Sequence, residues 1–308
     1  MPELSVILCA HNPRADYLRR TLDALQAQSL PRGRWEFLLV DNRSEPPLAN
    51  AWDLAWHPNG RHLREEELGL TPARLAGIRA ARGELLVFVD DDNVLAPDYL
   101  ENALALAREW PRLGAWGGSC RGEFEEPPPE WTRPYWCYLA LREIRENRWS
   151  NNPQDWDSLP SGAGLCVRRN VALAYADDAG ANPLKKLLGR KGGSLASCED
   201  SDLVQTSTRF QLGFGLFGSL NLTHLIPAKR LTEDYLVALL REMNTSVLLL
   251  RYLREGGIPD LSRSFLERLR NASYLLRAGH RARRFFLAEE EAKRNARKLI
   301  LEWEARKS

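Results

Sequence analysis

Apolar positions follow two rhythms over the first 120 residues. Leu4 to Ala10 is a short continuous apolar run, and Phe37 to Val40 is another that ends at Asp41. Runs of this length between polar residues predict strands buried on both faces. Between them Leu18, Leu22 and Leu25 recur at i, i+4 and i+7, the spacing of one helical stripe. The alternation continues with a helix from about Pro72 to Ala81, a strand from Leu85 to Asp90, and a helix opened by Pro97. Leu100, Ala103, Leu104 and Ala107 share one face of that last helix. Strands alternating with helices predict an α/β fold, a Rossmann-like and mainly parallel central sheet flanked by helices.

Beyond Gly114 the rhythm is lost. Pro- and Trp-rich sequence runs to Trp156 and includes Glu125-Glu126-Pro127-Pro128-Pro129, which suits neither a helix interior nor a central strand. A long excursion over one face of the sheet is expected there. Regular signals return at Leu165 to Val167, at a helix beginning near Cys198-Glu199-Asp200, and at a last strand around Leu222 to Ile226. From Thr232 the pattern is helical to the end, broken at Gly256-Gly257-Ile258-Pro259 and at Gly279. The expected organisation is a main domain over residues 1–230, with halves at 1–120 and 121–230, and a C-terminal helical extension over 231–308.

Composition narrows the setting. With 308 residues, 44% hydrophobic and 27% charged, the chain can bury a large core. No window approaches the roughly 18 uninterrupted apolar residues of a membrane span. Met1-Pro2-Glu3 leads into the first apolar run without a basic start, so export is not expected. Cys9, Cys120, Cys137, Cys166 and Cys198 are odd in number, scattered and never spaced as Cys-x-x-Cys. That usage predicts reduced thiols and a cytoplasmic setting, with neither a disulfide framework nor a zinc knuckle.

The net charge of +2 hides an asymmetry, because residues 251–308 hold 15 Lys or Arg against 8 Asp or Glu. The remaining body is acidic, which argues against a nucleic-acid partner. Arg281-Ala282-Arg283-Arg284-Phe285-Phe286-Leu287 sets basic residues beside an apolar patch. Such a segment can rest on the inner face of an anionic membrane or against a second subunit; packing on its own domain is the plainer reading.

Three acidic clusters carry the candidate chemistry. Phe88-Val89-Asp90-Asp91-Asp92-Asn93 places three carboxylates directly after an apolar strand, and ligands of open α/β sheets collect at the carboxyl ends of strands. Alternation points Asp90 and Asp92 the same way. Adjacent anions repel unless compensated, and a divalent metal, Mn or Mg, is the simplest compensation. A solvated acidic turn closed by Asn93 is the alternative. Val40-Asp41-Asn42-Arg43-Ser44 puts another acid at a strand end, where it can accept from a base N–H or a ribose hydroxyl, although the string is also ordinary turn chemistry. Cys198-Glu199-Asp200-Ser201-Asp202 opens a helix whose dipole favours acids, one of which can act as a general base. Trp110, Trp116, Trp131, Trp136, Trp149 and Trp156 lie between the Asp90-Asp91-Asp92 run and Glu199-Asp200. Their indoles suit packing against sugar faces, and one or two are expected to reach substrate while the rest pack under the loop.

Taken in order, Ser5-Val6-Ile7 to Asn12, Leu39 to Ser44, Ala73-Arg74-Leu75-Ala76-Gly77-Ile78, Gly83-Glu84 to Asp92, Gly162-Ala163-Gly164 and Glu199-Asp200 resemble family 2 glycosyltransferases with a GT-A fold. The resemblance implies a nucleoside diphosphate sugar donor, a carbohydrate, lipid-linked or other hydroxyl acceptor, and inversion at the anomeric carbon. It further implies that Ala10 and Asn12 line the base pocket, that Asp41 reads the base, and that Arg74 contacts the nucleotide in the 1–120 half. Asp90 would face the ribose with Asp91 beside it, while Asp92 and His224 would hold the metal. Gly162, Ala163 and Gly164 would border donor sugar and acceptor in the 121–230 half. Asp200 would be the base, with Glu199 positioning the acceptor. His224 is otherwise a satisfied core histidine. Leu75 stands where the family often has Asn, and the tail lacks Gln-x-x-Arg-Trp, which implies addition of a single sugar.

The rivals are fewer. A nucleotidyltransferase or a dinucleotide-dependent dehydrogenase needs a glycine-rich loop after the first strand, and Ala10-His11-Asn12-Pro13 has no glycine. A catalytically degenerate nucleotide-sugar scaffold is the non-enzymatic alternative. Asp41, Asp92 and Asp200 are expected to converge, and their placement around different cavities would end the enzymatic reading.

Overall fold

The computed structural model describes residues 1–262 and 264–307. The first half runs β1 (Leu4–Ala10), α1 (Ala15–Gln26), β2 (Trp35–Asp41), β3 (Gly60–Arg64), α2 (Leu70–Ala80), β4 (Leu85–Asp90), β5 (Asn93–Leu95) and α3 (Tyr99–Glu109). Then follow β6 (Leu113–Phe124), β7 (Arg148–Ser150), β8 (Cys166–Arg168), α4 (Arg169–Ala181), α5 (Pro183–Lys186), α6 (Glu199–Gln205) and β9 (Gly213–Ile226). Three helices complete the chain: α7 (Glu233–Glu255), α8 (Phe265–Arg277) and α9 (His280–Lys307).

The strands form one sheet in the order β3-β2-β1-β4-β8-β6-β9-β5, with β7 also paired to β9. From β3 to β4 every pairing is parallel. β8 is antiparallel to both β4 and β6, while β6 and β9 run parallel. Every residue of β1 and β2 is buried, as continuous apolar strands require when helices cover both faces. One face packs Leu18 and Leu22 of α1 and Leu100 and Leu104 of α3. The other packs Leu75 and Ile78 of α2 and Val171 and Tyr175 of α4. A Cβ on Gly77 would lie 2.5 Å from Ile7 Cγ2, so the glycine lets α2 sit directly on β1.

The main departure from the sequence reading is β6. Gly114, Gly117 and Gly118 suggest irregular chain, yet they lie in a twelve-residue strand. A Cβ on Gly118 would meet Leu220 O at 2.1 Å, beside a register shift between Gly118 and Ser119. The glycines therefore serve close approach at a bulge. β3 and α4 were not expected, and β9 starts well before Leu222. The Pro-rich stretch is irregular as expected, with a 3-10 run over Glu130–Leu139.

Both long C-terminal helices pack on the body. Arg281 and Arg284 each reach Glu233 at 2.9 Å, and Phe285 is buried with its ring stacked on Tyr135 at 4.0 Å. Arg281, Arg284 and Phe285 thus face their own chain. Arg254 of α7 also donates to the fully buried carboxylate of Asp202 in α6. Among the described residues no helix is long and apolar enough to cross a membrane.

Candidate functional site

A cleft of about 410 Å³ opens beside the carboxyl ends of β1 and β4. Ala10, His11 and Asn42 form one part of its wall, and Asp90, Asp91 and Asp92 another. Arg74 from α2, Gly162 and Ala163 from the loop before β8, and Glu199 and Asp200 from α6 close it.

Arg74 organises the floor. Its guanidinium donates to the Glu199 carboxylate and, at 3.2 Å, to Asp90 Oδ1, with only 5% of the side chain exposed. Burial pushes the Glu199 carboxyl up to about 7, against the pull of Arg74. Cys198, just ahead of α6, has φ 100°, a strained left-handed conformation for a non-glycine residue. After this turn Glu199 is buried against Arg74, whereas Asp200 stays half-buried at the cleft wall. The Asp200 carboxylate accepts from the N–H of Gly162 at 2.6 Å and of Ser201 at 2.7 Å. A Cβ on Gly162 would lie 2.8 Å from Arg74 Nη2 and 3.2 Å from Asp200 Oδ2, so the position has room for glycine alone. Gly164, at φ +69°, stands behind the wall, where its carbonyl accepts from Tyr99 at 2.6 Å.

The acidic run is more finely divided than the sequence suggests. Asn93 is fully buried and its side-chain amide donates to Asp92 Oδ1 at 3.0 Å, while its Oδ1 accepts from the Asp90 N–H at 3.3 Å. The antiparallel β5–β9 register sets Asn93 opposite His224, which brings His224 Nε2 to 3.3 Å from Asp92 Oδ2. Arg230 Nη2 lies 3.0 Å from the same oxygen. Burial alone would raise the Asp92 carboxyl, but His224 and Arg230 hold it well below the usual range. Burial, with Asp92 and Asp90 adjacent, pushes Asp91 up to about 7.

His224 Nδ1 lies 3.0 Å from Leu139 O, where it donates, and this leaves Nε2 as the nitrogen turned to Asp92. Two neighbours disagree about its state. Burial disfavours the charged ring, yet the Asp92 carboxylate lifts it to about 10. Arg230 Nη1, however, lies 2.9 Å from Nε2 and needs a lone pair there. A neutral ring accepts from Arg230 at that nitrogen, whereas a protonated ring donates from it to Asp92 at 3.3 Å and so holds the carboxylate charged.

As metal donors, Asp92 and His224 are a pair. Among the described residues no group of three or more His, Cys, Asp or Glu side chains could hold a metal ion alone. A carboxylate and an imidazole fixed through its other nitrogen nonetheless fit a site that substrate phosphates complete.

Besides Gly164, two expected residues stand outside the wall, so of the three acids expected to converge only Asp92 and Asp200 do. Asp41 accepts from the N–H groups of Ser44 and Leu48, at 2.8 and 3.0 Å, and from Arg64 at 2.7 Å. Burial would raise its carboxyl, but those donors hold it below the ordinary value. Asn12 binds Ser44 Oγ through its N–H at 2.9 Å and accepts from the Glu45 N–H at 2.9 Å. Both residues shape the loop after β2, whose Asn42 reaches the cleft. Of the six tryptophans only Trp156 lines it; Trp116 is fully buried, and Trp131 lies under Arg281 at 4.0 Å. The sequence reading missed Arg230, Arg190 and Lys191, three basic residues of the cleft lining, and Tyr138, Met243 and Val247. Lys229-Arg230 directly after the last strand was the available signal.

The model of glycosyl transferase family 2 matches residues 5–166, more than half of the chain. The chain belongs to glycosyl transferase family 2. A 109-residue stretch of this glycosyltransferase is 30% identical to EpsH of Bacillus subtilis (strain 168), covering 34% of this chain and 30% of that protein. Another of 108 residues is 29% identical to the glycosyltransferase AglE of Haloferax volcanii, covering 34% and 35%. The matches thus span about a third of the length of these relatives. Among solved structures, TarS 1-349 of S. aureus superposes with a TM-score of 0.53 at 15% identity, over 99% of this chain and 92% of that one. The same protein in complex with UDP-GlcNAc gives 0.53 at 15% identity, over 94% and 79%. These likenesses show the fold, an α/β GT-A architecture followed by C-terminal helices. The family match shows a transferase enzyme.

Proposed function

We propose that this chain transfers a single sugar from a nucleoside diphosphate sugar to an acceptor hydroxyl, with inversion at the anomeric carbon. The observation that carries the reading is that Asp92, after β4, and Asp200, at the start of α6, line one cleft that Arg190, Lys191 and Arg230 also line. Carboxylates for a metal and a base, beside cations for a diphosphate, are what such a transfer needs. The complex of TarS with UDP-GlcNAc supports a nucleotide-sugar donor.

In this reading Ala10, His11 and Asn42 receive the base, with Asp41 and Asn12 holding the loop that carries Asn42. Asp90 and Asp91 face the ribose and the neighbouring phosphate. Asp92 and His224 would hold Mn or Mg, and Arg230 would have to release both for that. The ion, when bound, stabilises the negative charge that builds on the leaving diphosphate. Asp200 takes the proton from the acceptor hydroxyl as its oxygen bonds to the anomeric carbon. The bond from that carbon to the phosphate oxygen breaks, and its electron pair leaves with the nucleoside diphosphate. Glu199 acts through Arg74, fixing Asp90 and the loop at Gly162, and so positions the base.

Residues 1–120 form the nucleotide half and 121–230 the acceptor half, while the extension from 231 adds Met243 and Val247 to the wall. With Tyr138 and Trp156 they suit the apolar part of a carbohydrate or lipid-linked acceptor. Five free cysteines agree with a cytoplasmic reaction. The test is Asp200→Asn, which should keep donor affinity and lower transfer by about 10²- to 10⁴-fold. Preserved turnover removes Asp200 as the base.

A further inference from the structure

Helix α8 carries an apolar face that the rest of the chain leaves open. None of its residues is buried. Phe265, Leu266, Leu269 and Leu276 expose 72%, 76%, 52% and 80% of their surface. At about 100° per residue Phe265, Leu269 and Leu276 fall within about 40° of one another, and Leu266 flanks them. A capping box between Ser264 and Glu267 fixes the first turn, so this is the face of a formed helix. Of thirteen exposed large hydrophobic residues among those described, seven lie between 258 and 276, which makes the patch local. A concentrated patch of this kind marks a contact surface, where scattered exposed leucines would not.

Charge selects the occupant. Arg281, Arg284 and Arg241, on α7 and α9, are paired with Glu233, Asp234 and Glu291 at 2.6–3.3 Å. Arg268, Arg270 and Arg277 of α8 form no ion pair among the described residues. A second copy laid against this face would bring arginines against arginines. An anionic lipid surface instead takes the apolar face into its acyl boundary and the guanidiniums among its headgroups. The helix has 13 residues, too short to span.

We propose that α8 seats this glycosyltransferase on an anionic membrane surface as an interfacial helix. The apolar face inserts, and Arg268, Arg270 and Arg277 hold it at the headgroups. The segment at 281–285 takes no part, since its arginines and Phe285 are engaged within the chain.

Flotation of the full chain with lipid vesicles tests this. The wild type should float with phosphatidylcholine vesicles containing about one third phosphatidylglycerol, should not float with phosphatidylcholine alone, and should be released by salt. Leu266→Asp with Leu269→Asp should lower binding by about tenfold or more while circular dichroism and the thermal midpoint stay as in wild type. Arg270→Gln with Arg277→Gln, which leaves the apolar face whole, should lower it by about tenfold. A wild type that never floats, or a leucine variant that floats equally, overturns the proposal. So does a wild-type dimer that the leucine variant converts to monomer without any vesicle binding, because a second copy then covers the face.

Discussion

Arg74 and Glu199 form an ion pair inside the protein, with 5% and 4% of their side chains exposed. One residue comes from the helix lying on β1 and the other from the first turn of α6, so the pair joins the nucleotide side of the cleft to the side that carries Asp200. Removing one partner of a buried pair leaves an uncompensated charge, at a cost of about 3–5 kcal/mol. Above about pH 7, where Glu199 is ionised, Arg74→Met should therefore lower the urea midpoint clearly. An unchanged midpoint means the pair does not tie the two sides together.

Glu199 also sets a pH dependence. Its carboxyl is lifted from an ordinary 4.5 to about 7, so the folded chain holds that proton more tightly than the unfolded chain does. The stability it contributes is full below about 4.5 and is lost as pH rises through about 7. Glu199→Gln cannot titrate, and denaturant unfolding across this window should show a flatter profile for the variant. Parallel profiles would contradict the raised carboxyl.

Gly162 donates to Asp200 and leaves no room for a methyl group. Gly162→Ala must push Arg74 or Asp200 away, and misplacement of a reacting group by about 1 Å costs about 10²-fold in rate. Steady-state kinetics should show kcat falling by about that factor, with donor KM changed much less. A larger effect on KM would place Gly162 at the donor instead.

Arg230 reaches both Asp92 and His224, at 3.0 and 2.9 Å. A fixed guanidinium there competes with a dication. Titration of Mn followed by electron paramagnetic resonance, with no nucleotide present, should show Arg230→Met binding about tenfold tighter than wild type, a difference of about 1.4 kcal/mol. Equal or weaker binding would show that Arg230 does not stand where the metal goes.

Most of the frame was legible because it rests on local pattern. The burial of β1, β2 and α1 follows from runs and stripes visible in the letters. β6 was hidden because its glycines are selected by contacts with residues a hundred positions away, such as Leu220. The site divides in the same way. Asp92 and Asp200 stand where strand-end and helix-start acids should, and both reach the cleft. Asp41 has the same local signature, yet Arg64 from the neighbouring strand and two backbone donors fill its oxygens. Whether a strand-end acid faces ligand or loop depends on such partners, which spacing does not encode. Arg230 was missed for a related reason, since its importance comes from the β5–β9 register that delivers His224 to Asp92.

Donor binding in the presence and absence of metal tests the central reading most directly. Thermal unfolding with a panel of nucleoside diphosphate sugars, with Mn or with chelator, should give one donor that raises the wild-type midpoint by about 4 °C or more when ligand is about a hundredfold above Kd. That rise should require Mn and should vanish in Asp92→Asn. A midpoint that no nucleotide sugar moves, or a shift that Asp92→Asn and chelator leave intact, would contradict a metal-assisted donor site in this cleft.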